Sequence, residues 1–130
     1  CLNRVITTTT SKMDKNFTAV RNGGIQMNIN GFRISIQFGP GNYVSDPSIR
    51  FNGKWDASLH AENGIWQSDD AEVMIWGRDD QPLFKLDDGI IDDQVMGWCT
   101  SDCVARMIGC LASCGDEDPR RAIAQIWKAQ

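Results

Sequence analysis

Residues 25–39 read IQMNINGFRISIQFG, and the period of this stretch sets the fold class. Ile25, Met27 and Ile29 alternate with polar residues, Asn30-Gly31 follows, and then Phe32, Ile34, Ile36 and Phe38 alternate with Arg33, Ser35 and Gln37. A period of two puts one set of side chains on a buried face and the other on a wet one. Asn-Gly supplies the two positive-φ positions that a type I′ turn demands. The stretch therefore predicts a β-hairpin. GPGN at 39–42 ends its second strand, because proline brings no amide hydrogen to a ladder.

Working outward, AEVMIWG at 71–77 predicts another strand, with Val73 and Ile75 on one side and Met74 and Trp76 on the other. Apolar residues on both sides make it a central strand. RDDQ then turns into PLFKL at 82–86, a further expected strand, and VMGW at 95–98 closes the sheet. SIRF, WDASLHA and IWQS, between Asn-Gly turn signals, read as short strands, and RVITTTT is expected to pair with FTAV as an extra hairpin across SKMDKN. The connections are too short for parallel crossovers, so the sheet is expected to be mostly antiparallel.

At residue 100 the period changes from 2 to 3.6. Thr100 or Ser101 can cap a helix in which Val104, Met107, Ile108 and Leu111 fall on one face, and Gly115 suits its left-handed end. A second helix is expected over 119–128, with Asp118 as N-cap, Pro119 in its first position, and Ile123, Ile126 and Trp127 as its apolar stripe. The fold class is therefore α+β, a mostly antiparallel sheet of about five strands with two C-terminal helices packed on one face. Residues 25–130 make up a single domain and 1–24 an N-terminal extension. The expected core includes Ile34, Ile36, Val73, Ile75, Val104, Ile108, Leu111 and Ile123.

Four of the five cysteines fall in WCTSDCVARMIGCLASC, residues 98–114. If the helix reached back to Cys99, then Cys99, Cys103, Cys110 and Cys114 would lie within about 60° of one another on one arc, beside the apolar face. Core packing is the preferred reading, since free cysteine is among the most buried residue types. The spacing Cys99-x3-Cys103 is admissible for zinc, but a six-residue spacer and a helical setting fit a zinc knuckle poorly. Cys103 and Cys110 are expected to be reduced and at least partly buried. Cys1 reads most simply as the residue after a removed start methionine, with lipoprotein acylation or a start at Met13 or Met27 as alternatives.

The net charge of −4 is unevenly spread. Residues 1–54 carry seven Lys/Arg against two Asp, a net +5; residues 55–98 carry two against eleven acids, a net −9; residues 99–130 balance four against four. Four Asp pairs lie in the acidic third: Asp69-Asp70, Asp79-Asp80, Asp87-Asp88 and Asp92-Asp93. Aspartate is a favoured turn residue, which gives these pairs a plain reading as turn chemistry and solubility. Their other reading is an acidic contact surface for a basic partner, with Trp66 and Trp76 as aromatic anchors.

Sequence signatures of catalysis are lacking. The single histidine, His60, has no glycine-flanked nucleophile, and neither GxxxxGK[ST] nor GxGxxG occurs. LDDGIIDDQ fails as a calcium loop, because Phe84 and Leu86 stand where acids are needed. Seven cations spread over 54 residues form no cluster, so direct nucleic-acid binding is not expected. Without an apolar run of about 18 residues or a signal-peptide core, the chain reads as cytoplasmic and off the membrane.

GFRISIQFGPGNYVSD, AEVMIWGRDDQPLFKL and VMGWCTSDCVARMIGCLA together resemble small tailed-bacteriophage proteins without assigned activity. The resemblance covers residues 25–113 loosely and transfers no functional residue. It implies a non-enzymatic accessory protein that binds a host macromolecule stoichiometrically, with inhibition of a defence system such as CRISPR as one expected outcome. The partner is expected to be a host protein, with a nucleic-acid-binding one among the candidates, with no cofactor, and self-association into a homodimer stays open. The alternative is a cysteine-based metal-binding protein or small enzyme.

Overall fold

A computed structural model describes residues 15–20, 23–39, 44, 67–85, 89–91 and 93–130. The fold is α+β. Five strands, β1 (Phe17–Val20), β2 (Gly24–Ile29), β3 (Phe32–Gln37), β4 (Asp70–Trp76) and β5 (Val95–Thr100), form one antiparallel sheet in sequence order. Two helices, α1 (Ser101–Ser113) and α2 (Arg120–Lys128), pack on one of its faces.

The β2–β3 hairpin has the expected register. Ile29 pairs with Phe32 across a two-residue turn in which Asn30 has φ 49° and Gly31 φ 85°. FTAV forms β1 and pairs with β2, so part of the expected N-terminal extension is an edge strand of the sheet. Its expected partner RVITTTT, like SIRF, WDASLHA and IWQS, lies outside the described residues.

Two features of the sheet depart from expectation. PLFK, the described part of PLFKL, does not form a strand: the chain turns at 77–81, Gly77 N–H donates to the Gln81 carbonyl (2.8 Å), and only Pro82 bridges back to Trp76. Leu83 and Phe84 then enter the core, which a continued strand would not permit for two neighbouring side chains. Arg33 and Ser35, expected on the wet face, are buried. Long side chains cover that face: Arg33 reaches across to β4 and sits 4.0 Å over the ring of its register partner Trp76, and within β3 Gln37 donates to the Ser35 hydroxyl (2.8 Å). Burial lowers the Arg33 pKa, and nearby Asp80 acts against that shift.

The helices begin as their caps dictate. The Thr100 hydroxyl accepts from Cys103 N–H (3.2 Å), so α1 starts at Ser101 and Cys99 belongs to β5, not to the helix. Gly115 follows α1 at φ 59°. Helix α2 starts one residue later than expected, at Arg120, whose N–H donates to the Asp118 carboxylate (3.0 Å).

Helix α1 crosses the sheet diagonally. It leaves β5 beside Asp70, the register partner of Thr100, and ends over the β2–β3 turn, where the Asn30 amide donates to the Leu111 carbonyl (3.1 Å). Arg78 fixes that end: it donates to the Asn30 carbonyl (2.9 Å) and the Gly115 carbonyl (2.6 Å), and stacks over Phe32 at 4.5 Å. A cation thus reaches a helix C-terminus whose own last turn carries none.

The diagonal divides the sheet face into two corners. In the β4–β5 corner at the Trp76 end, α2, Phe84 and Ile91 complete the core, with Trp127 donating to Gly97 O (3.0 Å) and Lys128 to Ile90 O (3.1 Å). The β1–β3 corner at the Asp70 end has no helix over it among the described residues.

Candidate functional site

One register row runs across all five strands: Ala19, Ile25, Ile36, Val73 and Met96. Met96 and Val73 are fully buried, Ile36 is half-buried, Ile25 is 40% exposed and Ala19 is exposed. The neighbouring row, Phe17, Met27, Ile34 and Ile75, runs from 69% exposed at Phe17 to 0% at Ile34. The apolar face is therefore wider than its helical cover.

Where the cover stops there is a groove of about 600 Å³. Ile36, Phe38 and Ala71 form its floor, and Val104, Ala105 and Ile108 of α1 form its wall, with Ser101 at the near end. Gln67, Ser68, Asp69 and Asp70 line its polar side, with Ser68 accepting from Asp70 N–H (3.4 Å). A mostly apolar concavity of this size with a few polar groups on one side is the usual form of a binding site. Ile36 and Ile108 were expected in the core and are only half-buried, because they face the groove.

The two acidic pairs that are described in full do not adjoin. Asp69-Asp70 stands at the start of β4 and Asp79-Asp80 beyond its end, and a seven-residue strand separates them by about 20 Å. Asp93 precedes β5 at the Trp76 end, with Asp79-Asp80. Asp79 accepts from Gln81 N–H (3.1 Å) and Asp80 has φ 65°, so that pair shapes a turn. Trp76 is half-buried under the Arg33 guanidinium. Asp87, Asp88, Asp92, Trp66 and His60 lie outside the described residues. Near Asp79, a second cleft of about 450 Å³ mixes charges, bringing Asp116, Glu117 and Asp118 close to Arg78, Lys85 and Arg120. Arg120 binds Asp118 at 2.8 Å and holds its carboxyl below the ordinary carboxylate range.

Cys99 lies in β5, which leaves Cys103, Cys110 and Cys114 along α1 and its C-cap. Cys99 and Cys103 are buried, Cys110 and Cys114 half-buried, and all four are free thiols. Burial pushes the Cys99 thiol strongly up, and the neighbouring Cys103 adds to the shift. Burial also raises Cys103 and Cys110. Nucleophilic attack and metal ligation require thiolate, so these environments oppose both. Among the described residues no three His, Cys, Asp or Glu side chains converge as metal ligands.

Trp98 was not singled out by the sequence. It is 48% exposed and takes φ 53° in a β-bulge, where Gly97 and Trp98 together oppose Glu72. The C-terminal residues hold the bulge: Gln130 donates to Trp98 O (3.0 Å) and accepts from Thr100 N–H (3.0 Å).

No helix among the described residues is long and apolar enough to cross a membrane. Comparison with protein-family models, curated proteins and solved structures returned no match.

Proposed function

We propose that this protein is a non-enzymatic binding protein that captures a basic, partly apolar segment of another protein stoichiometrically. The open groove at the Asp70 end carries this reading. It combines half-exposed Ile36, Phe38 and Ile108 with the carboxylates of Asp69 and Asp70, a combination that fits apolar side chains flanked by Lys or Arg. The acidic contact surface expected from residues 69–93 is here narrowed to its first pair. On the phage resemblance the captured protein is a host factor, with a nucleic-acid-binding defence component among the expected targets.

The test compares the parent chain with an Asp69→Asn/Asp70→Asn variant, both immobilised and exposed to host lysate at low and high salt. A partner retained near one-to-one by the parent, released by salt and weakly held by the variant is the expected result. Equal retention by parent and variant at low salt would sink the proposal, because the groove carboxylates would then play no part in capture.

A further inference from the structure

The backbone of the groove walls restricts what can enter. Its floor belongs mainly to β3 and β4, inner strands of the sheet. Its wall is one face of α1, where Ser101, Val104, Ala105 and Ile108 recur at i, i+3, i+4 and i+7 and the backbone is bonded within the helix. Among the described residues, the edge strand β1 does not line the groove and the edge strand β5 contributes only Cys99. An extended segment laid there would press its own N–H and C=O groups against apolar side chains without partners, whereas a helix satisfies them internally.

From this we infer that the groove takes an amphipathic α-helix of the partner protein, packed alongside α1 on the uncovered sheet corner, with Lys or Arg set against Asp69 and Asp70. The inference rests on the binding reading above and specifies the conformation of the captured segment. Three observations converge on it. The two-layer fold has helices over one corner of an apolar face and none described over the other. Ile25 and Ala19 extend the apolar floor beyond the groove, so the surface is broad enough for a helix side and not only for a single inserted side chain. The carboxylates lie to one side of the apolar floor, which suits a helix with an apolar stripe and cations at its border.

Designed peptides of about 15 residues, the length at which isolated helices become marginally stable, test the conformation directly. One places leucine at helical spacing with lysine elsewhere; a second has the same composition in strict alternation; a third keeps the helical pattern with glutamate for lysine. Titration calorimetry and circular dichroism should show one-to-one binding of the Leu/Lys helix with a gain of helicity. The other two peptides should bind at least tenfold more weakly. Ile108→Asp should abolish binding, and Ala105→Glu, at an exposed position outside the core, should weaken it at least tenfold with the fold intact. Asp69→Asn/Asp70→Asn should weaken it and flatten its salt dependence.

Equal or tighter binding of the alternating peptide would overturn the helix, and equal binding of the glutamate peptide would overturn the charge pairing. A dimer of the parent chain that Ile108→Asp dissociates would place a second copy in the groove instead. Failure of the helical peptide while Asp69-Asp70-dependent lysate capture persists would remove this inference alone. Loss of the Asp69-Asp70 dependence in both assays would remove the binding reading as well.

Discussion

The two corners of the sheet begin from the same sequence pattern and end differently. In the β4–β5 corner, Val73, Ile75 and Met96 are sealed by α1, α2 and Phe84; in the β1–β3 corner, Ile25 and Ile36 continue the same row and stay accessible. Alternation fixes which face of a strand is apolar, but not how far its cover extends. That extent is a tertiary quantity, set by the angle at which α1 crosses. The open corner is therefore the place where apolar surface remains for a partner.

Truncation tests the contrast with the largest effect. Phe84→Ala in the closed corner should cost about 3–5 kcal/mol, because a fully buried aromatic leaves a cavity that the surrounding side chains cannot fill. Ile36→Ala in the open corner should cost only about 1 kcal/mol, since its side chain is already partly hydrated. Guanidinium denaturation of both variants measures the difference. Equal losses would mean that the groove is closed in solution.

The next effect concerns what holds the diagonal. Arg78 joins the Asn30 carbonyl, the Gly115 carbonyl and the Phe32 ring, and Arg78→Ala should destabilise by about 2 kcal/mol. Arg78→Lys should recover less than half of this loss, because an ammonium lacks the fork that serves two acceptors together. If α1 then pivots, the groove changes width. The peptide titration should register that change as altered affinity even where thermal stability is partly restored.

The residues that set the diagonal explain what could be read in the sequence. Asn30-Gly31, Thr100 and the 3.6-residue recurrence of Val104, Met107 and Leu111 act within a few residues of themselves, and each predicted its element. Arg78 meets partners 48 and 37 residues away, and Asn30 reaches Leu111 across 81. No local pattern encodes those contacts, so the groove they leave was not legible, and Ile36 and Ile108 were placed in the core. The burial of Arg33 and Ser35 was missed for a related reason: period 2 marks them polar, and polar positions are assumed to be wet until a Trp76 or Gln37 covers them. Asp69-Asp70 was visible as a pair, but its separation from Asp79-Asp80 required the length of β4.

A third effect separates buried thiol chemistry from packing. Cys99 has its pKa raised above the ordinary 9.0, chiefly by burial, so the folded state keeps the proton longer than the unfolded chain does. Stability from this group is fully present below pH 9.0 and is lost as pH climbs above it, by up to about 1.4 kcal/mol per pH unit. The Cys99→Ala variant should lose some stability at neutral pH and show a shallower alkaline decline. The remaining decline reflects Cys103 and Cys110, which are raised as well. Parallel alkaline limbs in the two proteins would show that Cys99 is hydrated in solution through the groove that it helps to line.

The smallest effect is also the one whose sign is most informative. In an ordinary strand, replacing alanine by glycine costs up to about 1 kcal/mol, because glycine surrenders more backbone freedom on folding. At Trp98 the backbone has φ 53°, where every Cβ-bearing residue is strained by about 1–2 kcal/mol and glycine is not. Trp98→Ala and Trp98→Gly both remove the indole, so the difference between them isolates the backbone. Trp98→Gly should be the more stable of the two by about 1 kcal/mol, the reverse of strand behaviour. The bonds from Trp127 to Gly97 O and from Gln130 to Trp98 O are what force the conformation. Gln130→Ala should therefore shrink the gap between the two variants, and double-mutant thermal melts measure it. An alanine variant as stable as the glycine variant would mean that β5 relaxes to extended geometry in solution, and that the edge next to the closed corner is held by strand pairing alone.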